Sequence, residues 1–347
     1  MVLRPANVQC LSDKAKGGQE GNIAMRAFRT IASAGLLAMI LISAAQAQET
    51  YPARPVTLTH GFGAGGNGDV MSRIVAEALS PRIGQPVIVE SRPGGGGITA
   101  STRLVKSPPD GYTLITLTGG HAVLGALHKS LPYESVDDFQ MISTYGYQSF
   151  MIAVQKNGPI KSVGDLIKAA KAAPGRLTFS SVGVGSTQHL AGELFCAMTG
   201  IQMTHVPYRG GSAPMTDLIG GTIDVSFDTI TVIDPQYRAG NVHVLGVTSA
   251  SRWWSTPDVV TVAETVPGYD VQTWLGVAMP KGAPDPIVQK LNAAMRAGLS
   301  DPAVTDRLRK AGGMNVQASS PGDMRTLVAS QIANWKKVIA SANIPLR

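Results

Sequence analysis

The chain is poor in cysteine, in charge clusters and in long apolar runs, and each shortage removes a class of protein. Only two cysteines occur in 347 residues. Cys10 falls in a polar leader, so Cys196 stands alone in the rest of the chain and no internal disulfide is available; stability must come from a buried core. Metal-ligand spacings are missing too. Neither H-E-x-x-H nor C-x-x-C occurs, and the histidines at 60, 121, 128, 189, 205 and 243 are widely separated, so no metal and no cofactor are expected. No G-x-S-x-G nucleophile elbow is present, since Ser186 follows Val184-Gly185 and precedes Thr187-Gln188; a base role for His189 loses its partner, and no enzyme activity is expected. The formal charge of +7 is spread along the chain, without a basic run interleaved with aromatics, which excludes nucleic acid as a partner.

The leader holds the longest apolar stretch, Ile31 to Ile42. It falls short of the roughly 20 residues of a membrane span. Arg26 and Arg29 after Met25 form a basic n-region, and Ala45-Gln46-Ala47 fits the small-x-small cleavage rule, so residues 1–47 read as a signal peptide and its upstream leader. Cleavage near Ala47 implies an exported, periplasmic, soluble protein beginning at Gln48. The polar, patternless residues before Met25 are compatible with translation from Met1 or from Met25. The residue directly after the cleavage site is Gln48 and not cysteine, which argues against a lipid anchor.

What is abundant is glycine, 39 in all. The densest loop is His60-Gly61-Phe62-Gly63-Ala64-Gly65-Gly66-Asn67-Gly68-Asp69, between the apolar run at 55–59 and a helical pattern beginning at Val70. Backbone N–H groups of such a loop approach a ligand closely, and the following helix dipole favours an anion. Gly61, Gly63 and Gly66 also spell G-x-G-x-x-G, with Glu90 ending the next strand, which keeps a dinucleotide site open as an alternative. Asp69 weighs against it, because a carboxylate in the first turn repels a pyrophosphate. Asp69 itself reads either as an N-cap, with Arg73 one turn on, or as a ligand contact. The pattern repeats at Gly183-Val184-Gly185-Ser186-Thr187-Gln188-His189, where Ser186 and Thr187 are donors for a carboxylate or simple helix caps, and His189 reads as a buried, hydrogen-bonded side chain or as one of the ligand-binding residues. A third glycine run, Gly94 to Gly97, is either another anion contact or a tight turn. Asp228, closing the strand pattern 222–228, is read as facing a cleft.

Strands and helices alternate along the chain, with helices at 98–105 and 163–172, strands at 86–90, 112–118, 150–155, 177–181, 204–208 and 242–248, and a helix start at Asp137-Asp138-Phe139. Such alternation implies an α/β fold with sheets covered by helices. A helix stripe is expected at Leu190, Leu194 and Met198. Ala153-Val154-Gln155-Lys156-Asn157-Gly158-Pro159 is echoed by Ala278-Met279-Pro280-Lys281-Gly282-Ala283-Pro284, and two similar strands bracketing a middle unit predict two crossings between lobes.

From Tyr51 nearly to the C-terminus the chain resembles the substrate-binding proteins of the tripartite tricarboxylate transporter family, the Bug-type periplasmic receptors. The likeness is carried by Tyr51-Pro52-x-Arg54-Pro55, Phe62-Gly63-Ala64-Gly65-Gly66 with Asp69, Gly84-Gln85-Pro86-Val87, Glu90-Ser91-Arg92-Pro93-Gly94-Gly95-Gly96-Gly97 and Pro109-Asp110-Gly111-Tyr112-Thr113-Leu114. It continues through Leu131-Pro132-Tyr133, Asp138-Phe139, His189-Leu190-Ala191-Gly192-Glu193-Leu194-Phe195, Val206-Pro207-Tyr208-Arg209-Gly210, Val247-Thr248-Ser249-Ala250 and Pro267-Gly268-Tyr269. The resemblance implies a two-lobed periplasmic binding protein of type II-like fold, each lobe a sheet flanked by helices. The lobes would be 48–147 plus 272–347, and 148–271. It implies a small organic carboxylate held between Phe62, Gly63, Ala64, Gly65 and Gly66 on one side and Gly183, Gly185, Ser186 and Thr187 on the other, uptake through a membrane permease, and a monomer. Gly61 stands where the family usually has proline. The alternative on the residues alone is an exported nucleotide-binding protein or hydrolase using the same loops.

Overall fold

A computed structural model describes residues 51–210 and 212–347. The expected signal peptide, with its expected cleavage near Ala47, and Cys10 lie outside the described residues. The first strands form a parallel trio: β1 (Val56–His60) pairs with β2 (Val87–Ser91) and β3 (Thr113–Thr118). Parallel neighbours need crossovers, supplied here by α1 (Asn67–Ile83) and α2 (Ile98–Val105), and α3 (Gly119–Leu127) follows β3. A second parallel set contains β5 (Thr178–Ser181), β6 (Thr204–Pro207) and β7 (Val225–Thr229), with α4 (Val163–Ala172), α5 (Thr187–Thr199), α6 (Ala213–Gly220) and α7 (Ile230–Arg238) interspersed. β8 (Val242–Val247), β9 (Gln272–Pro280) and the helices α8 (Asp285–Leu299), α9 (Pro302–Gly312) and α10 (Pro321–Ser341) complete the chain.

One strand joins the two sets. β4 (Phe139–Gln155) runs antiparallel to β9 from Phe139 to Ser149, and from Phe150 onward it pairs with β7 and β8 instead. The sheet order is β2-β1-β3-β9-β4-β7-β5-β6, with β8 also on β4. This curled sheet is flanked by helices, the α/β architecture expected.

β4 is also the largest departure from expectation. Asp137-Asp138-Phe139 begins a strand and not a helix, and the strand is 17 residues long where only its last six read as one. Its first half carries Ser143, Thr144, Gln148 and Ser149, polar residues that hide a buried strand. The C-terminal segment supplies partners for Ser143, Thr144 and Gln148, whereas Ser149 Oγ pairs with Thr248 and Ser249. Thr144 Oγ1 donates to Gln317 O at 2.8 Å, Gln148 Nε2 to Gly312 O at 2.7 Å, and the Tyr147 and Asn315 backbones exchange bonds at 2.9 Å each.

α3 was not expected at all. Two glycines open it, but Thr118 caps it by accepting from Gly120 N–H, and it buries Ala122, Val123, Ala126 and Leu127 against Trp335 and Ile339 of α10. That cluster continues into Phe150, Phe179 and Leu190. In α5 the buried stripe is rotated from the expected one: Leu190, Ala191 and Phe195 are buried, while Met198 is 40% exposed. α8 and α9 lean on α1, where Arg82 bonds Asp301 at 2.8 Å and Arg307 pairs with Glu77 at 2.7 Å.

Candidate ligand-binding cleft

Four strand-to-helix junctions, β1–α1, β3–α3, β5–α5 and β7–α7, turn toward one another at the carboxyl ends of their strands. Each helix begins there with N–H groups that have no partner within the helix, and each carries roughly half a positive charge at that end. The N-caps are Gly66, Thr118, Ser186 and Thr229. The junctions are tied in pairs. Thr231 Oγ1, in the first turn of α7, donates to Asn67 Oδ1 of α1 at 2.7 Å. The first turn of α3 abuts that of α5, where a Cβ on Gly119 would lie 3.3 Å from Thr187 Oγ1, and Gly119 N–H donates to Thr273 Oγ1 at 3.1 Å.

Between them lies a cavity lined by Phe62, Gly66, Asn67, Gly68, Thr118, Phe150, Val182, Thr187, Gln188, Asp228, Thr229, Val232 and Thr273. No lysine, arginine or histidine lines it. The single ionisable wall residue is Asp228, 2% exposed, whose Oδ1 accepts from Thr229 N–H at 2.7 Å, Thr229 Oγ1 at 3.4 Å and Gln188 Nε2 at 3.4 Å. Burial pushes its carboxyl up to about 6 against the pull of those bonds. A smaller chamber shares Phe62 and Thr118 with the cavity and reaches back to Ser101 and His121.

Of the expected residues, Phe62, Gly66, Thr187 and Asp228 line the cavity. The others stand behind it. Gly63 N–H donates to Arg209 O at 3.2 Å, forming a bridge at Gly63 and Gly210, and Ala64 and Gly65 are exposed at the loop tip. Asp69 is neither an N-cap nor a lining residue, because α1 starts at Asn67 and Gly66 caps it without a side chain. Its carboxylate turns back to accept from Gly65 N–H at 3.0 Å and Arg73 Nε at 3.0 Å. Burial works against the charge, but the Gly65 bond and Arg73 outweigh it and hold the carboxyl below its usual value. His60 Nε2 is 3.3 Å from Asp69 Oδ1 without hydrogen-bond alignment, and burial keeps this imidazole below its ordinary pKa.

In the second loop, Ser186 Oγ accepts from His189 N–H at 3.2 Å as the α5 cap. Gly183 N–H donates to Ser181 Oγ at 3.1 Å and Gly185 N–H to His189 Nδ1 at 3.4 Å. His189 stacks on His205 at 4.3 Å and approaches Glu193 at 3.5 Å, so it props the loop from behind.

The glycines serve backbone contact between loops more than approach to a ligand. A Cβ on Gly61 would lie 2.6 Å from Gly97 Cα, and one on Gly96, at φ +64°, 2.7 Å from Val184 O. Gly68 leaves room for the Phe62 ring, 2.7 Å from where its Cβ would be. Glu90, the acid of the dinucleotide reading, pairs with Arg92 at 2.7 Å. Thr118, Gln188, Thr229 and Thr273 escaped sequence reasoning because it followed glycine counts. A threonine at a strand end before a helix, as at Thr118 and Thr229, was the available signal. Among the described residues no cluster of three or more potential metal ligands occurs.

Residues 71–344 match the family described as tripartite tricarboxylate transporter family receptor. The chain is 32% identical over 321 residues to Protein BugT of Bordetella pertussis, covering 91% of this chain and 96% of that protein. An R. palustris protein solved with adipate superposes with a TM-score of 0.82 at 36% identity, covering 85% of this chain and 99% of that one. MatC from Rhodopseudomonas palustris, solved with bound malate, gives 0.78 at 30% identity over 83% of this chain and the whole of that one.

Proposed function

Because the chain belongs to the tripartite tricarboxylate transporter family of periplasmic receptors, which bind solutes and are not enzymes, we propose that it binds a small dicarboxylate in the cleft between the four helix N-termini. The observation that carries this reading is a cavity with four such termini and no basic side chain. An anion seated there is held by oriented N–H groups and hydroxyls, which stabilise charge without a counter-cation. The diacids in the two R. palustris relatives, adipate and malate, point to the same ligand class.

Residues 48–147 plus 272–347 and residues 148–271 form the two lobes of this proposal. The change of β4 partner between Ser149 and Phe150 is where they hinge. Phe62, Gly66, Asn67 and Thr118 hold the ligand from one lobe, and Thr187, Gln188, Asp228 and Thr229 from the other. Closure creates the surface that a membrane permease recognises. The protein works as a monomer in the periplasm after cleavage near Ala47.

A thermal-shift and calorimetric panel of adipate, malate, benzoate and NAD tests the reading. Stabilisation by the diacids is expected; stabilisation by NAD and by no acid would reverse it in favour of the nucleotide alternative.

A further inference from the structure

We propose that the cleft takes its dicarboxylate together with one proton, shared between a ligand carboxyl group and Asp228 Oδ2. This rests on the carboxylate reading above and adds the protonation state that the site selects. Asp228 and the anion-binding N–H groups occupy the same wall. Its Oδ1 is committed to Thr229 and Gln188, residues of the α7 and α5 first turns, while Oδ2 has no partner among the described residues. A carboxylate seated on the α5 terminus therefore sits beside a second carboxyl group. Two carboxylates in contact in a dry site cannot both stay ionised unless a cation lies between them, and the cavity wall offers none.

The charged groups on the surrounding elements are spoken for. Asp69 and Arg73 of α1 pair with each other, and Glu193 of α5 faces His189, which stacks on His205 of β6. Asp234 and Arg238 pair at the far end of α7. Arg209, on the segment bridged to Gly63, is exposed. The β4 neighbour of Asp228, Met151, does not titrate, and β5 pairs with β7 only at Val225 and Ser226, through Phe179 and Ser180, which do not titrate either. Asp228 itself responds to burial and its hydrogen bonds, with no charged neighbour contributing. The balance is simple: the ligand dianion and one proton from solvent enter, and an O–H···O⁻ bond forms between the two carboxyl groups.

The experiment is titration calorimetry of the full mature protein with adipate and with malate, at pH 5.5 to 8.5 and in buffers of different ionisation heat. Uptake of about one proton per ligand is expected above pH 7, with affinity falling roughly tenfold per pH unit there. In Asp228→Asn the amide N–H replaces the shared proton, so uptake vanishes and affinity is flat with pH. Binding by the wild type without proton uptake, or an Asp228→Asn protein with undiminished uptake, overturns the proposal and leaves the carboxylate reading standing. Failure of both acids to bind at every pH removes the carboxylate reading itself. Should the variant not fold, the wild-type proton count alone decides.

Discussion

Ser186 and Thr187 are adjacent and chemically alike, yet their hydroxyls do different work. Ser186 caps α5 and is turned away from the cavity; Thr187 lines it. Ser186→Ala should therefore cost about 1 kcal/mol of stability, read by denaturant unfolding, with a small change in affinity. Thr187→Ala removes a donor to a charged group, worth roughly 1.5–3 kcal/mol, so affinity should fall about tenfold or more with the melting temperature little changed. Equal effects of the two variants on both readouts would contradict this division. Asp228 carries a stability cost that binding exploits. Its folded carboxyl holds a proton up to about pH 6, above the ordinary aspartate value, so the folded state is favoured at low pH and loses that advantage as pH rises through 6. Asp228→Asn should accordingly raise stability at pH 8 by about 1–3 kcal/mol and have little effect near pH 4. A melting curve series across that range checks the sign.

At the scale of elements, the three glycine loops meet backbone to backbone, and the contact between Gly96 and Val184, which joins the third loop to the second, is the place to test it. Gly96→Ala would set a methyl group 2.7 Å from Val184 O at a positive φ. The left-handed backbone costs a residue with a Cβ about 1–2 kcal/mol, while the clash holds the second loop away from the first. We expect adipate affinity to fall by more than the stability loss alone explains, measured by calorimetry beside unfolding. Proportionate losses would mean that the turn is only structural. The elements themselves were unevenly legible. Helices 98–105 and 163–172 match α2 and α4 at both ends, because each has a clear apolar periodicity between breakers. β4 and α3 were hidden, one by polar residues satisfied from 170 residues away or so along the chain, the other by glycines that a threonine cap and a buried face outweigh.

For the whole molecule, the paired helix termini predict how ligands close the cleft. A diacid reaches N–H groups on both sides, whereas a monoacid engages one side and leaves the other to water. Small-angle scattering should show greater compaction with adipate or malate than with a monoacid of similar length. If the monoacid compacts the protein as fully, the 183–187 loop closes around an uncharged end of the ligand and the two-sided account fails. The sequence by itself determined the α/β class, the alternation of strands and helices, the glycine loops and, through the order of its motifs, the family. Those properties are local or additive along the chain, and periodicity, turn chemistry and spacing record them. Tertiary structure alone decided which residues face the cavity. Asp69 and His189 look like ligand residues in the sequence but point to their own loops, while Thr118, Gln188, Thr229 and Thr273, from four separated segments, converge on one wall. That selection depends on how β4 passes from one set of strands to the other and on which side each helix start faces, and both are set by long-range pairing that no local pattern encodes.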